Sequence, residues 1–227
     1  MRIFGHRGDS KKFGDNNMES YKKAIECGSD GIEMDVCITR DSVLIMAHNS
    51  VEKSTGVPTY ERDYDRSRDL TLKEVLTEFS RYPIEFIIDI KDPRYQSGIC
   101  KEIYNMCMMH ECLDKCIIGS FNESHLRYLY KIEESTNTTI KKAFITSNLH
   151  EDMFRSVINK FRLTHLILYK FQLNSDLVHE SRQRGVRVYV YTCNTNGLYD
   201  YISSMGCDGL ITDTPGKFTS IDRGNVY

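Results

Sequence analysis

Gly31-Ile32-Glu33-Met34-Asp35-Val36 and Ile84-Glu85-Phe86-Ile87-Ile88-Asp89-Ile90-Lys91 are the stretches on which the fold turns. In an extended strand, residues two apart share a face. Ile32, Met34 and Val36 therefore lie opposite Glu33 and Asp35, and Phe86, Ile88 and Ile90 lie opposite Asp89 and Lys91. Aliphatic faces of this kind suit a layer of helices outside a barrel, with the acids pointing into the lumen. Outward from these two stretches, apolar runs of strand length recur near 2–6, 31–37, 84–91, 116–120, 141–145, 165–169, 186–192 and 208–213.

Helix-period segments separate most of these runs. Leu72, Val75, Leu76 and Phe79 follow i, i+3, i+4, i+7 behind a capping box of Thr71 and Glu74. Met18, Tyr21 and Ile25 form another stripe, ended by Gly28; Ile99, Ile103, Met106, then Met153, Val157, Phe161, then Leu198, Ile202, Met205 form others, and a weaker helix spans 174–184. Alternation of strand and helix through eight units predicts an α/β chain folded as a (β/α)₈ TIM barrel, a fold of about 250 residues that tolerates about 200. An open doubly wound sheet usually shows a G-x-G-x-x-G turn, and Gly5-His6-Arg7-Gly8 does not have that form. With no linker, repeat or low-complexity tract, residues 1–227 are expected to form a single domain. After the second strand, 38–48 reads as an antiparallel β-hairpin return through a turn at 40–42, leading to a short polar loop over 49–69. Pairing Thr39 with Ser42 sets His48 opposite Glu33, and a shift by two sets it opposite Asp35; either register brings His48 beside the acids.

Composition excludes several classes. Apolar residues are 40% and charged residues 27%, as in soluble globular chains. No apolar run has the length of a transmembrane helix, and no stable membrane insertion is expected. The 30 Lys and Arg against 32 Asp and Glu argue against nucleic acid as a partner. The eight cysteines have no zinc-site spacing and no export signal precedes them, so free buried thiols and a cytoplasmic location are expected. Oligomeric state is not legible.

Chemistry concentrates at the carboxyl ends of the strands, where barrel enzymes place their sites. Glu33, Asp35 and Asp89 offer hard oxygen ligands, and three acids in one barrel mouth repel unless a cation neutralises them. Arg7 and Lys91 add positive charge suited to a phosphate. His6 and His48 can exchange protons near neutral pH. The combination suits phosphoester cleavage.

At Gly5-His6-Arg7-Gly8, Ser20–Gly28, Gly31–Val36, Thr39-Arg40-Asp41, His48, Ile88-Asp89-Ile90-Lys91, Gly119-Ser120-Phe121, Val188–Asn194 and Gly206–Asp213 the chain resembles the glycerophosphodiester phosphodiesterases, from Ile3 to about Lys217. The resemblance implies a phosphoric diester hydrolase on a (β/α)₈ barrel, yielding glycerol 3-phosphate and an alcohol. It implies His6 and His48 as the acid–base pair, with His6 favoured as base. It further implies a divalent metal, Mg²⁺ or Ca²⁺, on Glu33, Asp35 and Asp89, with phosphate on Arg7 and Lys91. Tyr191 stands where the family usually has a substrate-side tryptophan. Where the family usually reads Pro-Glu-Asn-Thr this chain has Gly14-Asp15-Asn16-Asn17, and Asn49 follows the second histidine in place of aspartate. Alternatives are a lysophospholipase D or sphingomyelinase D-like phospholipase, and an inactive barrel that binds a phosphorylated ligand. The polar composition of 49–69 predicts a preference for water-soluble, deacylated diesters, with Phe171 and Leu173 the candidates for an apolar groove elsewhere.

Overall fold

Each aliphatic run forms a strand: β1 (Arg2–His6), β2 (Gly31–Ile38), β3 (Leu44–Met46), β4 (Glu85–Ile90), β5 (Cys116–Ser120), β6 (Lys141–Thr146), β7 (His165–Tyr169), β8 (Arg187–Tyr191) and β9 (Gly209–Thr212). The computed structural model describes residues 1–94, 98–148 and 151–222. All strands but β3 run parallel, and β1 pairs with both β9 and β2, which closes the expected eight-stranded (β/α)₈ barrel. Ile32, Met34, Val36, Phe86, Ile88 and Ile90 pack outward in one buried cluster with Leu72, Val75, Leu76 and Phe79 of the helix Leu72–Phe79. Each such side chain contributes about 1.5–3 kcal/mol on burial. Thr71 Oγ1 accepts from Glu74 N at 3.1 Å while Thr71 N donates to Glu74 Oε2 at 2.8 Å, so the capping box forms as read.

Alternate strands fill the lumen in layers, the usual packing of such a barrel. Arg2, Glu85, Lys141 and Arg187 open β1, β4, β6 and β8 at the floor. Two residues on, Phe4, Ile87, Ala143 and Tyr189 form an apolar plug with Ile117, Ile145, Ile167 and Ile211. Two further on, His6, Asp89 and Tyr191 reach the mouth.

The helix Glu123–Thr136 was not singled out by periodicity, because its buried face is short: His125, Leu126 and Leu129. The helix Glu151–Phe161 forms and buries Val157 and Phe161, while the side chain of Met153 lies outside the described residues.

The hairpin register differs from both expected ones. β2 pairs with β3 as Val36 with Met46, Cys37 with Ile45 and Ile38 with Leu44. Thr39 N donates to Val43 O at 3.0 Å and Ser42, not Val43, sits at the left-handed φ of 66°. The turn thus holds three residues, with the last in the αL conformation. That extra residue puts the register midway between the two readings and would set His48 opposite outward-facing Met34. The strand instead ends at Met46, and His48 reaches the mouth from the loop beyond. β3 occupies the part of the β2 edge that β1 leaves free, since β1 pairs with β2 only as far as His6 with Glu33.

Candidate active site

The chain turns sharply out of β1. Gly5 has no room for a side chain, since a Cβ there would lie 2.8 Å from Ala24 Cβ and Gly8 O, and Gly8 takes φ 90° against Ser20. Arg7 is itself held at φ 56°, an uncommon conformation for a residue with a side chain. Two bonds fix it there: Arg7 N donates to Glu33 Oε2 at 3.0 Å, and Ser20 Oγ donates to Arg7 O at 2.9 Å. The turn sets His6 and Arg7 over the end of β2.

His6, Arg7, Glu33, Asp35, His48, Asp89, Lys91 and Tyr191 all line one cavity of about 90 Å³, floored by Ile87, Ile167 and Ile211. All eight residues singled out in the sequence therefore meet. A larger groove of about 610 Å³ lies outside the barrel beside residues 42–44 and 71–78, and gathers no comparable chemistry.

Glu33, Asp35 and Asp89 are almost fully buried, at 5%, 1% and 4% exposure, with an oxygen from each inside 4.8 Å of the others. Lys91 Nζ lies 2.5 Å from Asp89 Oδ2 and 3.3 Å from Asp35 Oδ1, and Arg7 Nε lies 2.9 Å from Asp35 Oδ2. These two cations do not balance the acids. Burial, reinforced by the Asp35 charge, raises the Glu33 carboxyl to about 7. Burial also raises Asp89, to about 8, with Asp35 and Glu33 adding to it and Lys91 opposing. Burial works against the Lys91 charge too, but Asp89 and Asp35 outweigh it and raise that pKa. Asp35 Oδ1 and Asp89 Oδ1 accept no hydrogen bond although both are buried. A hard divalent cation fits such oxygens.

The imidazoles differ. His6 Nδ1 lies 2.5 Å from Asp213 Oδ1, which leaves Nε2 directed to the cavity, 4.0 Å from Glu33 Oε2. Burial lowers the His6 pKa, but Asp213 and Glu33 more than reverse this and the net shift is upward. His48 is shifted down by burial, with Arg7 and Lys91 contributing and Asp35 opposing; its Nδ1 lies 3.2 Å from Asn49 Oδ1.

Three supporting residues had no role in the sequence reading. Asp213 follows β9, and barrel closure sets it beside β1, where Asn194 Nδ2 donates to its Oδ2 at 2.5 Å. Its place at the end of the last strand was the available signal. Asn16 Nδ2 donates to Asp35 Oδ2 at 2.9 Å while Asn16 Oδ1 accepts from Asp35 N and from the Tyr21 hydroxyl. The third is Phe121, whose ring carries Lys91 Nζ 4.9 Å from its centroid. Asp15, the shortened acid in the Gly14–Asn17 segment, binds Arg7 Nη1 at 2.7 Å. The 49–69 loop is polar as expected and laced by ion pairs such as Arg62 with Asp69 at 2.6 Å. Of the two candidates for a groove, Leu173 is buried in the core at 7% and Phe171 is exposed at 77%.

The chain matches the model of the glycerophosphoryl diester phosphodiesterase family over residues 6–92 and 94–217. It is 24% identical to the glycerophosphodiester phosphodiesterase of Caldanaerobacter subterraneus subsp. tengcongensis, over 97% of each chain. It is also 24% identical to lysophospholipase D GDPD1 of Rattus norvegicus, over 95% of this chain and 84% of the relative. Among solved structures, a glycerophosphodiester phosphodiesterase from Parabacteroides distasonis superposes with a TM-score of 0.85 at 21% identity, covering 100% of this chain and 98% of the other. An Oleispira antarctica phosphodiesterase in complex with the product sn-glycerol-3-phosphate superposes with a TM-score of 0.86 at 17% identity, covering 98% and 97%.

Proposed function

The chain belongs to the glycerophosphoryl diester phosphodiesterase family, and on that premise we propose that it hydrolyses glycerophosphodiesters to glycerol 3-phosphate and an alcohol, using Mg²⁺ or Ca²⁺. The observation that carries the reading is the buried carboxylate cluster in which Asp89 Oδ1 has no hydrogen bond and Asp35 Oδ1 meets only Lys91 Nζ at 3.3 Å, beside two imidazoles. Glu33, Asp35 and Asp89 would hold the metal, which when bound supplies positive charge to polarise the phosphoryl group.

The remaining roles fall to the chain's own side chains. Arg7 and Lys91 take phosphoryl oxygens and stabilise the charge that grows on them. Asp213, ionised, keeps the proton on His6 Nδ1 and leaves Nε2 to accept the nucleophile's proton. The nucleophile is water, or the substrate's own glycerol 2-hydroxyl, which forms a cyclic phosphate that a water then opens to glycerol 3-phosphate. As its oxygen bonds to phosphorus, the bond to the alcohol oxygen breaks, and His48 gives that oxygen a proton. Tyr191 lines the wall on which the substrate lies. A cytoplasmic site of action accords with eight free thiols, seven of them buried. Among the described residues no helix is long and apolar enough to cross a membrane.

The test is release of glycerol 3-phosphate from glycerophosphocholine after chelation and again after adding Mg²⁺ or Ca²⁺. Release that the chelator stops and a divalent ion restores supports the reading. No release with any glycerophosphodiester and any divalent metal would favour a barrel that only binds a phosphorylated ligand.

A further inference from the structure

Among the described residues, a row of aromatic rings in contact continues out of the cavity. Phe121 and Tyr191 line the cavity and meet edge to face, with centroids 6.3 Å apart. Tyr191 touches Tyr169 at 5.6 Å, and Tyr169 touches Phe171 edge to face at 5.3 Å. The row starts beside Lys91 and ends at a phenylalanine 77% exposed to solvent. It rises from the ends of β5, β7 and β8, while the acids rise from β2 and β4.

We propose that this row, Tyr191–Tyr169–Phe171, is a subsite for the alcohol arm of the diester and that it selects alcohols with an uncharged apolar body. The inference rests on the hydrolase reading and names the substrate class within it. Glycerol carries two hydroxyls that need hydrogen-bond partners, which ring faces supply poorly, so the glycerol arm belongs on the polar side of the cavity. The alcohol arm then falls on the rings. A quaternary ammonium such as choline would ordinarily seek such rings. Here Lys91 Nζ already lies 4.9 Å from the Phe121 centroid, and Lys170 Nζ lies 5.3 Å and 5.9 Å from those of Phe171 and Tyr169. A further cation would meet like charge at both ends of the row. An alkyl or aryl group would not. Residues 49–69 gave the expectation of water-soluble, deacylated diesters, and an alkyl ester with a free glycerol arm is still a deacylated diester.

The experiment compares kcat/KM for glycerophosphate esters of ethanol, hexanol and decanol below their micelle concentrations, with wild type and Phe171→Ser. Because Phe171 is exposed, its replacement leaves the fold intact. Burial of a methylene is worth about fourfold when complete, and a half-open wall should still give a hexyl-to-ethyl ratio of about tenfold or more. Phe171→Ser should cut that ratio severalfold. Hydrolysis of all three esters at one rate, or a ratio unchanged by Phe171→Ser, overturns the subsite. A rise in rate with chain length on the glycerol arm alone, read with 1-acyl lysophosphatidylcholines, also overturns it. No hydrolysis of any ester removes the hydrolase reading and the subsite together.

Discussion

At the mouth of the barrel Glu33, Asp35 and Asp89 face Arg7 and Lys91, and at the floor Arg2, Lys141 and Arg187 surround Glu85. Charge is abundant at both ends, but only one end settles it within the chain. Glu85 pairs with Arg2 and, at 3.0 Å, with Lys141. Burial alone would raise the Glu85 pKa, but Lys141 and Arg2 outweigh it and the net shift is downward. Asp208 lines the same floor, and Arg187 lies exposed to water. At the mouth the acids outnumber the cations, burial withholds water from them, and Glu33 and Asp89 are pushed up instead. A fold keeps such a conflict where an incoming cation and substrate resolve it. On the proposed function, the floor serves stability and the mouth serves chemistry.

The largest effect should separate the two ends by activity. His6→Ala and His48→Ala should each lower kcat by on the order of 10²–10⁴-fold, the usual worth of a positioned acid or base. Both should fold, because neither side chain is part of a buried apolar cluster. Circular dichroism and single-turnover rates check this; a variant that keeps a tenth of wild-type kcat removes that histidine from the mechanism.

The next effect is a pH dependence of stability set by the floor. Burial pushes His165, at the start of β7, from 6.5 down to about 3, with Arg187 adding to it. Between those values the unfolded chain takes a proton that the folded chain refuses, so stability falls as pH drops below 6.5. The slope from this group approaches about 1.4 kcal/mol per pH unit. Denaturant unfolding from pH 7 to 4 should therefore be steeper for wild type than for His165→Phe. Equal slopes would mean that His165 is protonated in the fold.

The smallest effect concerns Glu85. Glu85→Gln leaves Arg2 and Lys141 without their shared carboxylate and should cost about 1–2 kcal/mol of stability. Its kcat should stay at the wild-type level, and a tenfold fall would show that the ends are coupled through the apolar plug.

Strand positions and the inward set Glu33, Asp35, Asp89 and Lys91 were readable because parity is a local property of an extended chain. The supporting residues were not. Asp213 reaches His6 across 207 positions, and only closure of the barrel makes them neighbours. Asn16 reads as a loop residue until its amide is found on Asp35. The hairpin register failed because Ser42 takes a positive φ that its residue type does not advertise, and one extra turn residue shifts the partner of every following position. Tyr191 and Phe171 were each singled out, but their contact through Tyr169 was not legible, for another reason. Phe121, Tyr169, Phe171 and Tyr191 come from three separate strand ends, and no single window of sequence contains them all.

The claim at the centre is that the mouth's three acids are kept for a divalent cation, and heat denaturation in the presence of that cation tests it without any substrate. At a concentration near a hundred times its Kd, Mg²⁺ or Ca²⁺ should stabilise the wild type by about 2.7 kcal/mol. That raises Tm by roughly 5–10 °C for a domain of this size, and Glu33→Gln should abolish most of the rise. No change in Tm with any divalent ion, or the full rise in Glu33→Gln, would contradict the account.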